Sequence, residues 1–342
     1  MTPANVTPVT AEPILDLIQA FRRSKTMFTA VSLGVFDRLA AGRVPAAVLA
    51  TALNCKVDPL SRLLDACVGL GLLTRIEDTY ANTEMSTRYL VASSPDTLAS
   101  YIVYSDRSLY QLWSHLEDAV REGTNRWEQT FGSRTALFDH FFRDEDSQRA
   151  FLGGMHGFGQ LSSPVLVRKF DLSPFKSLVD LGGATGHLCL AACEAYPALT
   201  ATILDLPPAE RFAKEHITAS NLGDRVKFVA GDFFKDPLPP ADLYTLGRIL
   251  HDWSEEKIRT LLKRIFESLP SQGGLLIGET LLDDNRSGPV PSLMQDLAML
   301  VATEGRERTC SDYRALLHDA GFRSIQCRRT GAPLDAVLAR KP

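Results

Sequence analysis

The chain has 342 residues, of which 45% are hydrophobic and 23% are charged, and its formal net charge is −4. This composition is typical of a globular protein with enough chain for one large or two modest domains, each with its own core. No basic excess favours nucleic acid as a partner. No apolar run approaches the roughly 18 residues of a membrane helix.

The N-terminal residues 1–13 are rich in proline and threonine, and they lack the positive segment and apolar core of a signal peptide. We therefore expect a frayed tail on a cytoplasmic protein. The six cysteines are scattered, and none forms a Cys-x-x-Cys pair. That distribution favours buried thiols in a reducing compartment over disulfides or a zinc site.

Residues 1–112 are predicted to form a mainly helical domain. Near its start, apolar residues recur at helical spacing, at Ile14, Leu17, Ile18 and Phe21. Further short helices are predicted at residues 46–53 and 58–69. The segments 70–74 and 80–83 then predict a small hairpin.

The order helix–helix–hairpin is that of a winged helix. The helix at 58–69, with Asp58 as its cap and Pro59 in its first turn, exposes Asp58, Arg62 and Asp65. The positive charge on this helix is too small to bind DNA phosphates. A structural or dimerising role is therefore favoured over DNA binding. The early helices carry more apolar surface than a small domain hides, which predicts a homodimer formed through them.

A helical bridge is predicted over residues 113–170. It contains Phe151, Met155 and Phe158 at helical spacing, which is consistent either with core packing or with lining a pocket. From residue 171 onwards strands alternate with helices. The predicted strands are 177–181, 200–204, 226–230, 242–246 and 274–279, followed by an antiparallel pair at 323–329 and 335–340. This pattern predicts an α/β domain with a Rossmann-like, mostly parallel seven-stranded sheet and a ligand crevice at the strand C-termini.

A glycine-rich turn follows the first of these strands. Asp180 closes the strand, Gly182, Gly183 and Gly186 follow it, and Asp205 closes the next strand. Glycines let a backbone approach a nucleotide, and the second acid can accept the hydroxyls of its ribose. An acid directly before the glycines would repel a pyrophosphate but suits a cationic sulfonium, so the sequence favours S-adenosylmethionine over a dinucleotide.

Several polar residues fall at the C-terminal ends of the predicted strands, namely Asp180, Asp205, Asp232, Arg248, His251 and Glu279. His251 is a candidate general base, because a neutral imidazole can take the proton of a phenol. Acids beside such a ring fix its tautomer and stabilise the imidazolium. The alternative for His251 is a capping or surface histidine at the start of the helix 254–269.

Longer motifs occur throughout the chain. They are Asp180-x-Gly-Gly, Gly231-Asp-Phe-Phe-Lys-Asp-Pro-Leu-Pro239, Arg248-x-Leu-His-Asp-Trp253, Thr303-Glu-Gly-x-Glu-Arg-Thr309 and Leu334-Asp-Ala-x-Leu-Ala339. In these motifs the chain resembles the class I S-adenosylmethionine-dependent small-molecule O-methyltransferases, and it is most similar to the acetylserotonin (hydroxyindole) group. The resemblance extends over nearly the whole chain.

The resemblance implies a class I methyltransferase domain at 171–342 behind a winged-helix-like dimerisation domain. The cofactor residues that it implies are Asp180, Gly182 and Gly183 near the methionine end, Arg248 beside the cofactor, Asp205 and Leu206 at the ribose, and Asp232 and Phe233 at the adenine. The catalytic residues that it implies are His251 as base, with Glu279 and Glu307 flanking it. No metal is needed for this chemistry.

The chain departs from the family on one helix. Acetylserotonin-type enzymes carry an Asn and a Gln, four residues apart, that hold the amide side chain of the indole substrate, whereas this chain has Ala298 and Ala302. A site without those partners loses discrimination for the amide, so we expect a different acceptor, bulkier or less polar. The expected acceptor-binding residues are Met155, Phe158, Asp252, Ala298 and Ala302, with His156 as a further candidate.

Three alternatives to an O-methyltransferase stay open from the sequence. The first is a non-catalytic relative that binds the cofactor and acts as a scaffold. The second is a DNA-binding regulator that uses the hairpin segment. The third keeps the fold but methylates nitrogen or carbon.

Overall fold

The computed structural model describes residues 9–132 and 141–342, so residues 1–8 of the predicted tail lie outside the described residues. The chain divides into two compact units, of which the first ends at Asp106 and the second is Arg107–Pro342. Within the described ranges, no helix combines the length and apolar character needed to cross a lipid bilayer.

The first unit is mainly helical, as predicted. Its helices are α1 (Glu12–Ser32), α2 (Val35–Arg38), α3 (Ala46–Ala52), α4 (Val57–Gly69), α5 (Glu84–Tyr89) and α6 (Ala99–Tyr104). The predicted hairpin is confirmed and gains a short third strand, with β1 (Val44–Pro45), β3 (Thr79–Asn82) and β2 (Leu73–Ile76) side by side and antiparallel. The core of this unit includes Phe36, Leu49, Leu64 and Tyr80, all buried.

The prediction that Asp58 caps α4 is wrong. The helix begins one residue earlier, at Val57, and its N-cap is Lys56, which makes no capping hydrogen bond through its side chain. Asp58 therefore lies within the first turn, where its carboxylate pairs with Arg62 one turn later, at 2.8 Å. The negative charge of Asp58 still interacts favourably with the positive N-terminal end of the helix dipole.

Helix α1 leaves an apolar stripe exposed. Ile14, Leu17, Ile18 and Phe21 are 61, 69, 60 and 53% exposed, whereas Ala30 and Val31 near the end of the same helix are buried. Residues three and four apart lie on one helical face, so these side chains form a continuous surface. Soluble proteins rarely leave such a surface uncovered.

Helices of the second unit precede its sheet. They are α7 (Tyr110–Trp113), α8 (Leu116–Glu122), α9 (Trp127–Phe131) and α10 (Glu145–Leu166), after a π-helical segment at Ser105–Leu109. Asp144 caps α10 by accepting a hydrogen bond from the Ser147 amide at 2.8 Å. Aromatic rings connect α9 to α10, because Phe141 packs edge-on against Trp127 and stacks on Phe151.

All seven predicted strands of the sheet are confirmed to within one residue. They are β4 (Ser177–Leu181), β5 (Thr200–Asp205), β6 (Val226–Ala230), β7 (Leu243–Gly247), β8 (Gly274–Glu279), β11 (Arg323–Arg328) and β12 (Asp335–Arg340). Their order across the sheet is β11-β12-β8-β7-β4-β5-β6. Strands β4 to β8 pair in parallel, and β12 is antiparallel to both of its neighbours.

Helices cover both faces of this sheet. They are α11 (His187–Ala195), α12 (Glu210–Ala219), α13 (Glu255–Ser268) and α15 (Cys310–Asp319), whereas α14 (Val290–Ala302) packs against α7 and α8. One apolar cluster joins Leu188 of α11 to Leu178 of β4, and a second joins Leu262 of α13 to Val179 on the opposite side of that strand. Burial on both faces brings the carboxyl ends of the parallel strands to a single edge.

A second, two-stranded sheet was not predicted. β9 (Leu281–Leu282) pairs in parallel with β10 (Arg308–Thr309). Two residues are too short for a recognisable alternation of apolar and polar side chains, so the sequence carries no signal for them. This pairing sets the segment after Glu279 beside the segment after Glu307.

The expectation of free thiols is wrong for one pair of cysteines. Cys310 and Cys327 form a disulfide, while Cys55, Cys67, Cys189 and Cys193 are free thiols. Cys310 begins α15 and Cys327 lies on β11, and packing of these elements brings the two Cα atoms to 6.1 Å. That separation lies within the range a disulfide spans.

Candidate active site

The glycine turn connects β4 to α11 and presents bare backbone at the sheet edge. Gly182 and Gly186 adopt φ angles of +72° and +83°, in the left-handed region that favours glycine. A Cβ atom on Gly183 would lie 2.7 Å from Oδ2 of Asp180. The turn therefore packs directly on the Asp180 carboxylate.

Asp180 is buried beneath this turn. Its Oδ1 accepts a hydrogen bond from the Thr245 hydroxyl at 2.7 Å, and the residue is only 2% exposed. Burial raises the pKa of Asp180 to about 7, and the charge of Asp205 adds to the effect. A cation bound nearby would favour the ionised carboxylate, so the site suits a positively charged ligand.

Asp205 ends β5 next to the same turn. Its Oδ2 accepts from the Ala184 amide and its Oδ1 accepts from the Leu206 amide, both at 2.6 Å. Each carboxylate oxygen has a second lone pair, so Asp205 can also accept hydrogen bonds from a diol. Burial raises the pKa of Asp205 to about 6.

Asp232 and Phe233 follow β6 at the neighbouring position of the edge. Asp232 Oδ1 accepts from the Phe234 amide at 2.9 Å, and its Oδ2 pairs with Lys235 at 2.9 Å. A Cβ on Gly182 would lie 3.4 Å from the Phe233 ring. The structure thus brings Asp180, the glycine turn, Asp205 and Phe233 together at one edge of the sheet.

Arg248 directly follows β7 with a φ of +59°, which is unusual for a residue with a side chain. Its amide donates to the Gly278 carbonyl at 3.0 Å, which fixes this turn to β8. Its guanidinium lies 4.4 Å from the centroid of the Phe158 ring. Met155, one turn earlier on α10, is half-buried on the same helix.

His156 contacts the glycine turn. Its Nδ1 is 2.8 Å from the Thr185 hydroxyl, and its ring stacks on His216 with centroids 3.6 Å apart. Nearby, the Ser163 hydroxyl is 2.8 Å from Nδ1 of His187. These contacts attach α10 to the glycine turn and to the start of α11.

His251 lies in the 3-10 turn Leu250–Asp252 and is 3% exposed. Its Nδ1 is 2.6 Å from Oε1 of Glu307 and 3.1 Å from Oε2 of Glu279. Both glutamates are completely buried. The alternative of a capping histidine does not hold, because Ser254 caps α13 by accepting from the Lys257 amide.

Hydrogen bonds from different elements hold the carboxylate of Glu279 and the backbone of Glu307. Oε1 of Glu279 accepts from the amides of Ile249 and Leu250 at 3.0 and 2.9 Å. The amide of Glu307 donates to Oδ1 of Asp296 on α14 at 2.8 Å. The turn after β7, the end of β8 and the segment before β10 therefore meet at Nδ1 of His251.

The charges of this cluster alter its proton affinity. Burial lowers the pKa of His251, but Glu279, Glu307 and Asp252 outweigh burial and raise it to about 9. Burial raises the pKa of Glu279 to about 7. Nε2 of His251 lies 3.7 Å from Oδ1 of Asp252, beyond hydrogen-bond distance. Nε2 is thus the nitrogen available to accept a proton from a substrate.

The ligand atoms of His251, Glu279 and Glu307 lie within 4.8 Å of one another. A cation could use such a spacing, but the 2.6 Å contact between Nδ1 of His251 and Glu307 has the length of a charge-assisted hydrogen bond. The arrangement fits a base whose second nitrogen is anchored by carboxylates.

Ala298 and Ala302 lie on α14 and are 6 and 3% exposed. The indole nitrogen of Trp127 donates to the Ala302 carbonyl at 2.5 Å, and the Arg126 amide donates to the Val301 carbonyl at 2.9 Å. Helix α9 therefore caps the C-terminal end of α14. Both alanine positions carry only a methyl group and offer a ligand no polar contact.

Sequence reasoning missed several residues that shape the site. Thr245, Asp296 and Trp127 each contact a predicted site residue through a hydrogen bond. Thr245 is a single threonine in an otherwise mostly apolar strand, so no pattern pointed to it. Asp296 lies 11 residues before Glu307 and Trp127 lies 175 residues before Ala302, and no motif joins either pair.

The profile of the O-methyltransferase domain matches residues 113–323, and that of the O-methyltransferase dimerisation domain matches residues 15–92. The chain belongs to the O-methyltransferase family. Membership confirms the predicted family, the fold class and the enzymatic nature of the chain.

Similar family members are matched over nearly their whole length. Acetylserotonin O-methyltransferase of Gallus gallus is 44% identical over 96% of this chain and 96% of its own length. The Bos taurus enzyme of the same name is 43% identical over 95% of this chain and 96% of its own. The structure of human N-acetylserotonin methyltransferase in complex with SAM superimposes with a TM-score of 0.92 at 40% identity, and the match covers 98% of this chain and 99% of that one.

Proposed function

We propose that this O-methyltransferase transfers the methyl group of S-adenosylmethionine to a hydroxyl of a small aromatic acceptor, with His251 as general base. The observation that carries the proposal is the pair of buried carboxylates at Nδ1 of His251, which leaves Nε2 to accept a proton. This nitrogen lies at the sheet edge that also carries the glycine turn.

The residues at that edge fit the donor. Gly182 and Gly183 leave bare backbone beside the acidic Asp180, which suits the methionine end of a cation. Asp205 and Leu206 would hold the ribose, and Asp232 with Phe233 would hold the adenine. Arg248 would lie beside the cofactor, where its backbone conformation fixes the direction of its side chain.

When bound, S-adenosylmethionine supplies a methyl group on a sulfonium sulfur, which keeps the electron pair of the broken carbon–sulfur bond. A phenol has a pKa near 10, so its oxygen is mostly protonated at neutral pH. Nε2 of His251 takes this proton as the oxygen–carbon bond forms. Glu279 and Glu307 stabilise the imidazolium that results. No metal takes part in this scheme, so a chelator should leave the rate unchanged.

The acceptor pocket is proposed to involve Met155, Phe158, Asp252, Ala298 and Ala302. The two alanines offer no partner for an amide, which supports an acceptor less polar than an acetylated indoleamine. Efficient turnover of N-acetylserotonin by the wild type would contradict this assignment. The double variant Ala298→Asn/Ala302→Gln should gain activity toward amide-bearing hydroxyindoles relative to simple phenols.

A homodimer through the N-terminal helices is supported by the exposed apolar stripe of α1 and by the dimerisation-domain match. Light scattering should give the mass of a dimer, and Leu17→Glu should convert it to a monomer. Val48→Glu, at another exposed apolar position on α3, is the matched control and should leave the dimer intact.

The sequence-based division into a winged-helix-like domain at 1–112, a bridge at 113–170 that contributes to the pocket, and a catalytic domain at 171–342 is part of the proposal. So is a cytoplasmic location, which cell fractionation tests. Limited proteolysis with mass spectrometry tests the domain boundaries.

Calorimetric titration with S-adenosylmethionine and S-adenosylhomocysteine tests the cofactor assignment. We expect binding by the wild type, its loss in Asp205→Ala and its retention in Asp224→Ala, which removes an exposed acid. A screen of phenols, catechols and hydroxyindoles with labelled cofactor then tests turnover, with His251→Ala as the inactive control. Binding without turnover of any acceptor would favour a scaffold, and a methylated amine or carbon product would replace O-methylation.

A further inference from the structure

Three buried oxygen atoms around His251 lack a hydrogen-bond partner among the described residues. They are Oε2 of Glu279, Oε2 of Glu307 and the hydroxyl of Tyr313. Buried polar groups are nearly always paired, so three unpaired atoms in one cluster indicate a function that uses them. Two of the three are acceptors, and the third is a donor.

Tyr313 reaches this cluster from α15. It lies in the first turn of that helix, after the capping box of Thr309 and Asp312, and it is 0% exposed. Its ring packs in the apolar cluster that contains Leu250, Ile277 and Leu281, the neighbours in sequence of His251 and Glu279. The parallel pairing of β9 with β10 places Glu307, which directly precedes β10, beside the segment that follows Glu279.

One nitrogen of His251 cannot satisfy both glutamates. Nδ1 carries a single hydrogen, and the shorter contact, 2.6 Å, directs it to Oε1 of Glu307. Oε2 of Glu279, at 3.1 Å, is an ion-pair partner without a hydrogen bond. When His251 takes up a second proton at Nε2, the charged imidazolium favours ionised carboxylates, and their Oε2 atoms, which accept no hydrogen bond, then need a donor.

We propose that Tyr313 is a positioning residue for the general base, whose hydroxyl donates its one hydrogen to Oε2 of Glu279 or of Glu307 when His251 becomes charged. The proposal rests on the proposed function of His251. A phenolic O–H rotates about its C–O bond, so its hydrogen can be aimed at either carboxylate once the hydroxyl oxygen is within hydrogen-bond distance of it. Tyr313 is proposed to contact neither the methyl donor nor the methyl acceptor.

The tyrosine acts as a donor and keeps its own proton. Burial raises its pKa, and the charges of Glu279 and Glu307 raise it further, while Arg308 opposes them. The other charged groups that face the cluster are Asp252 beside Nε2 and Arg248 near Glu279. Arg308 is itself buried next to this cluster and donates to the carbonyls of Leu250 and Arg306.

Tyr313→Phe separates this role from a structural one. Loss of an unpaired buried hydroxyl should leave the melting temperature unchanged or raise it. Loss of a donor to a carboxylate should lower kcat roughly tenfold or more, in line with a hydrogen bond to a charged group. Less ionised glutamates also weaken the base, so the midpoint of the pH profile of kcat/KM should move to lower pH, with KM for both substrates unchanged.

Tyr244→Phe is the matched control. Tyr244 is equally buried, but its hydroxyl donates to the Pro239 carbonyl at 2.6 Å, away from the histidine. This variant should lower the melting temperature and leave the pH profile in place. If Tyr313→Phe keeps the wild-type kcat and profile, the proposal is overturned.

A second readout does not depend on turnover. NMR titration of the His251 ring in wild type and Tyr313→Phe should show a lower imidazole pKa in the variant. If the wild type methylates no acceptor but this shift occurs, the proposed function fails and the positioning role of Tyr313 holds. An unchanged imidazole pKa overturns the role even when the wild type is active.

Discussion

Gly305 is predicted to be essential for the position of the catalytic histidine. It lies in the Thr303-Glu-Gly-x-Glu-Arg-Thr309 segment, where its amide donates to the Thr303 hydroxyl at 3.1 Å. A Cβ on Gly305 would collide with the carbonyl oxygen of His251 and would lie 2.8 Å from both the carbonyl carbon of His251 and the Trp253 amide nitrogen. Real Cβ atoms essentially never approach closer than 3.0 Å, and these neighbours are backbone atoms, which have no flexible end to move aside.

Gly305→Ala must therefore displace the turn that carries His251 or the loop that carries Glu307. Overpacking of this kind lowers the free energy of unfolding by about 1–3 kcal/mol. A displacement of about 1 Å at the reacting groups lowers the rate about 100-fold. We expect a fall in kcat of that size, with cofactor affinity retained because the glycine turn is untouched.

Transfer of labelled methyl to the best phenolic acceptor measures kcat, and urea unfolding measures stability. Gly223→Ala is the control, since a Cβ there meets no atom within 4 Å and the φ angle of Gly223 is not in the left-handed region. An active Gly305→Ala variant with the urea midpoint of the wild type would refute the argument from close packing.

Three further predictions concern protonation and redox state. Because charged neighbours raise the His251 pKa to about 9, its basic form increases with pH, and kcat/KM should climb through that pH; a profile flat above about pH 7 would contradict this. Reduction of the Cys310–Cys327 disulfide should lower the free energy of unfolding by ~3 kcal/mol, and Cys310→Ser should lose the response to reductant. Burial, with His216 and His187 adding to it, lowers the His156 pKa from 6.5 to about 3, so the folded state binds fewer protons than the unfolded state. Stability should fall as pH drops from 6.5 towards 3, and less steeply in His156→Phe.

Much of the sheet and the cofactor edge was predictable because each signal is local. The apolar run before Asp180, the glycines after it and the acid at Asp205 are separated by short stretches of chain, and all three are confirmed at the same sheet edge. Parallel strands must place their carboxyl ends together, so polar residues at those ends meet whatever the details of the connections.

The remaining features depend on contacts between separate elements of the fold. The Cys310–Cys327 bond joins the start of a helix to an edge strand, and neither position carries a motif. Tyr313 belongs to no motif, and the position of Glu307 near Glu279 follows from the two-residue pairing of β9 with β10. Asp58 shows the opposite case, because a residue type suited to an N-cap lies two positions inside the helix, after Lys56 and Val57.

The place of β12 in the sheet has a consequence for biosynthesis. It lies between β11 and β8, with Asp335 opposite Glu279 and Arg340 opposite Gly274. While the ribosome is still adding residues 335–340, β8 has one unpaired edge, although every one of its residues is buried in the finished protein. An open apolar edge of this kind recruits other chains. The nascent protein therefore exposes an aggregation-prone strand edge until β12, the second strand from one end of the sheet, pairs with β8 and covers the strand that carries Glu279.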